Sequence, residues 1–260
     1  MSMIISSRKN PAVAHFRELN RERKTREAER LFNIEGVRLC EEAVRAGLEI
    51  TAAFVTETAA KKYPEVFAKL CSVCSPDIIT DDIGPYISDT KSPQGMFATA
   101  KMLDNSGKMC TIECGRLILL DGLQDAGNIG TIIRTCDALG MGGAVLSPDC
   151  ADIYSPKVVR GAMGSLFRLP FAVTPLPCFI AGLQAEGYTV YSAVLDKSAQ
   201  SIDEVRFPEK CAVVIGNEGN GVSGEVIKAS GRSIYIPIEN AESLNAAIAA
   251  AIFCNEMRKN

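Results

Sequence analysis

The chain has 260 residues, 47% of them hydrophobic and 23% charged, with a net charge of −3 at pH 7. This is an ordinary globular composition, long enough for one large domain or two ordinary ones, and two is the better reading. No apolar run approaches the roughly 20 residues of a membrane-spanning helix, and the opening Met-Ser-Met-Ile-Ile-Ser-Ser-Arg-Lys-Asn lacks the order of a secretory signal, so a cytoplasmic protein is expected.

Residues 1–30 hold eight Lys/Arg against four Asp/Glu, a basic segment on an acidic body. An anionic partner such as nucleic acid and a merely solvated helix face both fit. From 31 to 103 the pattern is mixed, with helices expected over Val37–Ala46 and Glu65–Cys71 and strands over Ile50–Thr56 and Gly95–Ala100. The polar, turn-prone stretch from Asp104 to Met109 reads as a linker, which divides the chain into 1–107 and 108–260. After it come a strand over Arg116–Asp121, a helix over Ile129–Leu139 closed by Gly140, a strand over Gly143–Ser147 and a helix near Pro156–Met163. Strands over Thr189–Leu195 and Cys211–Gly216, a helix over Gly224–Ala229, a strand over Ser233–Ile238 and a helix over Leu244–Lys259 complete the series. Such alternation predicts an α/β domain with a mostly parallel sheet covered on both faces.

Residue inventory narrows the chemistry. The single histidine, His15, lies in the basic segment, so no histidine triad or imidazole metal cluster operates in the glycine-rich half. The ten cysteines, in a chain without a secretory signal, read as reduced thiols. Cys71-Ser-Val-Cys74 with Cys110 and Cys114 could in principle form a four-thiolate metal site, but the second pair has the looser spacing and the stretch between the pairs is not zinc-ribbon-like, so no metal is expected.

Three polar, glycine-bearing clusters each follow or end an apolar strand-like run, and in an open α/β sheet loops of this kind converge beyond the carboxyl ends of the strands. In the first, Asn128 falls at an N-cap position and Arg134 falls off the stripe made by Ile129, Ile132, Ile133, Cys136 and Leu139. Arg134 is free to meet a ligand, or is a surface arginine paired with Asp137 or Asp125. The second, Gly216-Asn217-Glu218-Gly-Asn-Gly221, satisfies neither a Walker loop nor a dinucleotide fingerprint, and its glycines allow close approach of a ligand or simply a tight turn. In the third, Ile236-Pro-Ile238 leads to Ser243-Leu244-Asn245, where Ser243 reads most simply as an N-cap and the following alanines as helix formers with a small-residue face.

Together these clusters resemble the SpoU/TrmH family of S-adenosylmethionine-dependent RNA 2′-O-ribose methyltransferases, within the SPOUT superfamily. The resemblance rests on Asp121-Gly-Leu-Gln-Asp-Ala-Gly-Asn128-Ile-Gly-Thr-Ile-Ile-Arg134-Thr, Val214-Ile-Gly216-Asn-Glu218-Gly-Asn-Gly-Val, and Ile236-Pro-Ile with Ser243-Leu-Asn245, in order and spacing across about 112–260. The stretch from Ser155 to Pro170 is similar too, with Ala162 where many members carry serine. More loosely, Ile5-Ser-Ser-Arg8-Lys-Asn-Pro and Phe32-Asn-Ile-Glu35-Gly36-Val-Arg38 are similar to the family's small, ribosomal-protein-like RNA substrate-binding domain.

The resemblance implies a sheet with a deep trefoil knot, an obligate homodimer and a bound S-adenosylmethionine. It implies catalytic or organising roles for Arg134, Asn128, Glu218, Asn245 and Ser243, and cofactor contacts at Gly216, Asn217, Ile236, Ile238, Leu244 and Leu195. Arg8, Lys9, Arg21 and Arg38 would meet RNA, ribosomal in preference to transfer RNA. A noncatalytic RNA-binding protein retaining the fold is the competing class.

Overall fold

The computed structural model describes residues 4–103, 115–196 and 198–259. The expected linker at 104–109, the division at 107/108, and Cys110 and Cys114 lie outside the described residues. The chain forms two compact units, the first reaching to Leu103 and also including Tyr154–Phe167, the second holding the remainder.

The first unit opens with α1 (Pro11–Arg21), whose N-cap Asn10 accepts a hydrogen bond from the Ala12 amide at 2.9 Å and whose first position is proline. It continues through α2 (Arg23–Glu29), β1 (Leu31–Glu35), α3 (Val37–Arg45), β2 (Ile50–Thr56), α4 (Glu57–Lys62), α5 (Pro64–Val73), β3 (Asp77–Ile79), α6 (Ile83–Ile87) and β4 (Met96–Lys101). Its sheet runs β1-β4-β2-β3, with β4 antiparallel to both neighbours and β2 parallel to β3. Val13 and Phe16 of α1 pack with Phe54, Ile79, Ile83, Ile87 and Phe97 in one core.

The sequence pattern does not mark β1, because Asn33 is buried in mid-strand and breaks the apolar run. The structure satisfies that amide fully: Nδ2 donates to the Phe16 carbonyl at 2.7 Å and to Asn20 Oδ1 at 3.0 Å, while Oδ1 accepts from Thr99 Oγ1 at 2.8 Å.

The second unit holds β5 (Arg116–Asp121), α7 (Ala126–Ala138) and β6 (Gly143–Leu146). The chain then enters α8 (Pro156–Ala162) and α9 (Ser165–Arg168) before β7 (Phe171–Val173), α10 (Leu176–Ala185), β8 (Thr189–Ala193), β9 (Gln200–Ser201), β10 (Cys211–Gly216), α11 (Gly224–Ser230), β11 (Ser233–Tyr235) and α12 (Ala246–Met257). The sheet order is β7-β6-β5-β10-β8-β11-β9 and every pairing is parallel. Late strands fill slots between earlier ones: β10 enters between β5 and β8, and β11 between β8 and β9.

Leu117 to Leu120 and Cys211 to Val214 are all fully buried, so both faces of the central strands are covered, which is why they read as unbroken apolar runs. Leu117, Leu119, Ala212 and Val214 pack with Leu176 and Ile180 of α10 and Val226 of α11. Helices α7 and α12 pack on each other, and α12 also packs on β5 and β10.

Two expected strands are shortened. Those over Thr189–Leu195 and Ser233–Ile238 leave the sheet after Ala193 and Tyr235, and their remaining residues turn into the site.

Candidate active site

The carboxyl end of β5 is Asp121, a buried carboxylate whose Oδ2 accepts from the Ser223 amide at 2.7 Å and so ties β5 to the loop leading into α11. Gly122 follows with φ +66°, a conformation that favours glycine. Its amide donates to Ser147 Oγ at 2.8 Å, and its carbonyl accepts from Asn217 Nδ2 at 2.7 Å. Asn217 thereby spans from the end of β10 to the end of β5.

The same asparagine closes its own loop. Its backbone exchanges two hydrogen bonds of 2.9 Å with Gly221, and its Oδ1 accepts from the amides of Gly219 at 2.9 Å and Asn220 at 3.1 Å. Gly216 is required by this closure: a Cβ there would stand 2.1 Å from the Gly221 carbonyl carbon and the Val222 nitrogen. The neighbour that excludes a side chain at Gly216 is therefore the loop's own backbone.

The cap of α7 differs from the sequence expectation. Asp125 is the N-cap, with Oδ1 accepting from Gly127 N at 2.6 Å and Asn128 N at 3.0 Å, because an aspartate three residues upstream reaches the free amides of the first turn. Asn128 sits inside that turn and its side chain is free to bond elsewhere. Nδ2 donates to Glu218 Oε1 at 3.0 Å, and Oδ1 accepts from Asn245 Nδ2 at 3.0 Å. Ser243 is likewise not the cap of its helix. Asn245 is, with Oδ1 accepting from Ala247 N at 2.9 Å and Ile248 N at 3.3 Å, since α12 begins only at Ala246.

The three loops are thus joined by a continuous chain, Asn245 to Asn128 to Glu218. Glu218 also accepts from the amides of Asp125 at 3.2 Å and Gln124 at 3.3 Å. Partial burial pushes the Glu218 carboxyl up, but the hydrogen bonds from Asn128 and from backbone amides outweigh it and hold the group below the usual glutamate range.

Beside this chain lies a cavity of about 650 Å³. Gly216, Asn217, Glu218, Ile236, Ile238, Ser243, Leu244, Asn245 and Leu195 all line it, with Leu195 exposed at its edge. Sequence reasoning missed Ala193, Val194, Glu242 and Phe253, which also line it; the first two stand directly before Leu195 and the third directly before Ser243, so proximity to marked residues was the available signal.

Arg134 is not part of this lining. It is exposed on α7 and makes no ion pair with the described residues: Asp137 pairs instead with Arg168 at 2.8 Å, and Asp125 caps the helix. In the first unit, Arg8 lies 3.6 Å from Asp82, while Lys9, Arg21 and Arg38 are exposed and make no ion pair with described residues. Among the described residues no group of three or more His, Cys, Asp or Glu is arranged to hold a metal ion, and no helix is long and apolar enough to cross a membrane.

Residues 115–255 match the SpoU rRNA Methylase family, and residues 10–98 match the MRM3-like substrate binding domain. The chain belongs to the SpoU rRNA methylase family. It is 33% identical over 98% of both chains to the Bacillus subtilis 23S rRNA (guanosine(2553)-2′-O)-methyltransferase RlmP. It is 28% identical to the Streptomyces laurentii 23S rRNA (adenosine(1067)-2′-O)-methyltransferase, covering 96% of this chain and 93% of that one. Among solved structures, the AdoMet-bound rRNA methyltransferase from Sinorhizobium meliloti superposes with a TM-score of 0.88 at 28% identity, over 99% of this chain and 97% of that one. The SpoU methyltransferase AviRb from Streptomyces viridochromogenes, in complex with AdoMet, gives 0.85 at 25% identity over 96% and 98%. The SpoU family fold accounts for the all-parallel sheet of the second unit.

Proposed function

We propose that this SpoU family protein is an S-adenosylmethionine-dependent methyltransferase acting on a ribose 2′-hydroxyl of ribosomal RNA. The observation that carries the reading is the Asn245–Asn128–Glu218 chain, which locks all three motif loops around one cavity in a protein whose full-length relatives bear ribosomal RNA 2′-O-methyltransferase names.

The cavity fits the cofactor. Its volume lies within the about 300–1,000 Å³ of small-molecule sites. Its walls mix isoleucine and leucine side chains with polar backbone at the strand ends of Gly216 and Ile236, which suits a ligand with an aromatic base and a polar tail. Gly216, Asn217, Leu195, Ile236, Ile238 and Leu244 would hold it. When bound, S-adenosylmethionine supplies a methyl group on a sulfonium, an electrophile that needs no metal.

The chain's residues supply alignment and charge. Asn128, Glu218 and Asn245 fix the loops, and Ser243 stands at the cavity wall. Arg134 would meet the target phosphate and the 2′-hydroxyl. A guanidinium stays protonated at any accessible pH, so its role is to neutralise the developing alkoxide while solvent or phosphate accepts the hydroxyl proton.

The same reading assigns RNA substrate binding to residues 1–107 and catalysis to 108–260, a cytoplasmic location, and a homodimer. It also includes a trefoil knot in the carboxyl-terminal segment, for which the insertion of β10 and β11 between earlier strands is the support. The test is to incubate the protein with S-adenosylmethionine and an unmodified 23S rRNA transcript and to map ribose methylation. One discrete 2′-O-methyl site is expected. Cofactor binding without methylation of ribosomal RNA, together with methylation of transfer RNA, would move the substrate; no methylation of any RNA would favour the noncatalytic class.

A further inference from the structure

Cations of the first unit differ in how far they are neutralised. Arg23, Arg45, Lys69 and Lys101 are neutralised by Glu27, Glu42, Glu41 and Glu49 at 2.7 Å or less, and contribute little to the outward field. Lys9, Arg17 and Arg21, at and just before α1, have no such partner among the described residues.

Arg17 is distinguished among the latter three by what it rests on. Its guanidinium lies over the Tyr86 ring, 3.8 Å from the centroid, and the Arg8 guanidinium lies 5.1 Å from the same centroid. Stacking holds a guanidinium by its flat face and leaves its in-plane N–H donors outward, so less side-chain freedom is lost when those donors meet a planar or tetrahedral oxyanion. The platform is itself fixed. Tyr86 belongs to α6, where Ile83 and Ile87 are buried in the core, and Asn20 of α1 donates to the Ile87 carbonyl at 2.9 Å. Arg21 lies one turn beyond Arg17 on the same side of α1. Arg8 is the weaker member, since Asp82 stands 3.6 Å away.

We propose that Arg17, held on the face of Tyr86, binds a backbone phosphate of the RNA substrate, with Tyr86 as its positioning residue and Arg21 extending the track. The proposal rests on the RNA reading above and goes beyond it in naming the contact and how it is preorganised. A phosphate contact carries position rather than sequence, so it should weaken binding evenly across RNAs.

The experiment measures affinity of the full chain for a 23S rRNA transcript as a function of salt. Arg17→Gln should bind about tenfold more weakly, and the slope of log affinity against log salt should shrink by roughly 0.7 to 0.9, the value for one lost phosphate contact. Tyr86→Leu, which keeps the charge but removes the platform, should lose affinity with the slope retained, and Tyr86→Phe should restore it. Calorimetric binding of S-adenosylmethionine and the melting temperature should be unchanged in Arg17→Gln. Parental affinity and slope in Arg17→Gln would overturn the proposal, as would lost affinity with an unchanged slope. A Tyr86→Phe protein as weak as Tyr86→Leu would overturn the platform. If the parent protein itself fails to bind the transcript, the RNA reading falls and the phosphate contact with it.

Discussion

A carboxylate can only accept hydrogen bonds, so Glu218 dictates the orientation of the Asn128 amide and, through it, of Asn245. It forces Asn128 to present Nδ2 to it and Oδ1 away from it; Asn245 must then donate with Nδ2, which leaves its Oδ1 to cap α12. Glu218→Gln keeps the shape and removes the charge that imposes this order, and should lower both methyl transfer and the melting temperature. The sign with pH follows from a carboxyl held below its ordinary value of 4.5. The stabilisation it gives is fully present above that value and is lost as pH falls through the lower folded-state value. Melting curves of the parent and Glu218→Gln should therefore differ at neutral pH and converge below pH 4.5; a gap that widens on acidification would contradict the assignment. Arg134 belongs to the same scale. Arg134→Ala should slow single-turnover methyl transfer by about a hundredfold or more, as expected for losing about 3 kcal/mol of transition-state stabilisation, with cofactor affinity retained by calorimetry.

Helix starts and loop closure set where these residues stand. Because Asn245 both caps α12 and donates to Asn128, its two roles separate by substitution. Asn245→Asp keeps an oxygen for the cap, where a carboxylate is favoured, but loses the donor and sets a charge against Asn128 Oδ1. The expected outcome is a melting temperature near the parent's with methyl transfer strongly reduced, while Asn245→Ala loses about 1 kcal/mol of stability as well. Equal activity in Asn245→Asp and the parent would reduce Asn245 to a cap. The Gly216 loop gives a second prediction at this scale. Since even a Cβ would meet backbone 2.1 Å away, Gly216→Ala should displace the loop and weaken S-adenosylmethionine binding at least tenfold by calorimetry. Gly221→Ala meets no atom within 4 Å and carries only the strain of φ +70°, about 1–2 kcal/mol, visible as a lower melting temperature.

At the scale of the whole molecule, three of the five alanines of α12 face inward rather than forming an outward small-residue face. Ala246, Ala247 and Ala250 are buried within the chain, allowing α12 to approach α7 and the ends of β5 and β10 closely. The outward stripe is instead Ile248, Ala251 and Ile252, with Ile248 53% exposed. If the protein is a dimer, this stripe is the apolar surface that association would cover. Light scattering should give a dimer for the parent, and Ile248→Glu should shift it toward monomer with the melting temperature of the unit retained. A parent that is monomeric at micromolar concentration and methylates RNA would refute the dimer.

The sequence by itself determined the local features that rest on short-range pattern. The apolar runs of β5, β6 and β10, the stripe of α7 that leaves Arg134 outside, and the three motif loops are legible because they depend on periodicity and on strand-end composition. Only the tertiary structure decided which hydrogen-bonding groups meet. Asn128 and Ser243 both carry good capping side chains, yet Asp125 and Asn245 take the caps, because a cap is settled by where a helix starts and by what competes for the side chain. The early ends of β8 and β11 were hidden for a related reason: Val194, Leu195, Ile236 and Ile238 are strand-like side chains that continue after their partners diverge, and they line the cavity instead. Asn33 hid β1 because its burial is offset by partners 13 and 66 residues away in sequence, Asn20 and Thr99. The order β7-β6-β5-β10-β8-β11-β9 lies beyond any local signal, since side-chain patterning records that a strand is buried on both faces but not which strands flank it.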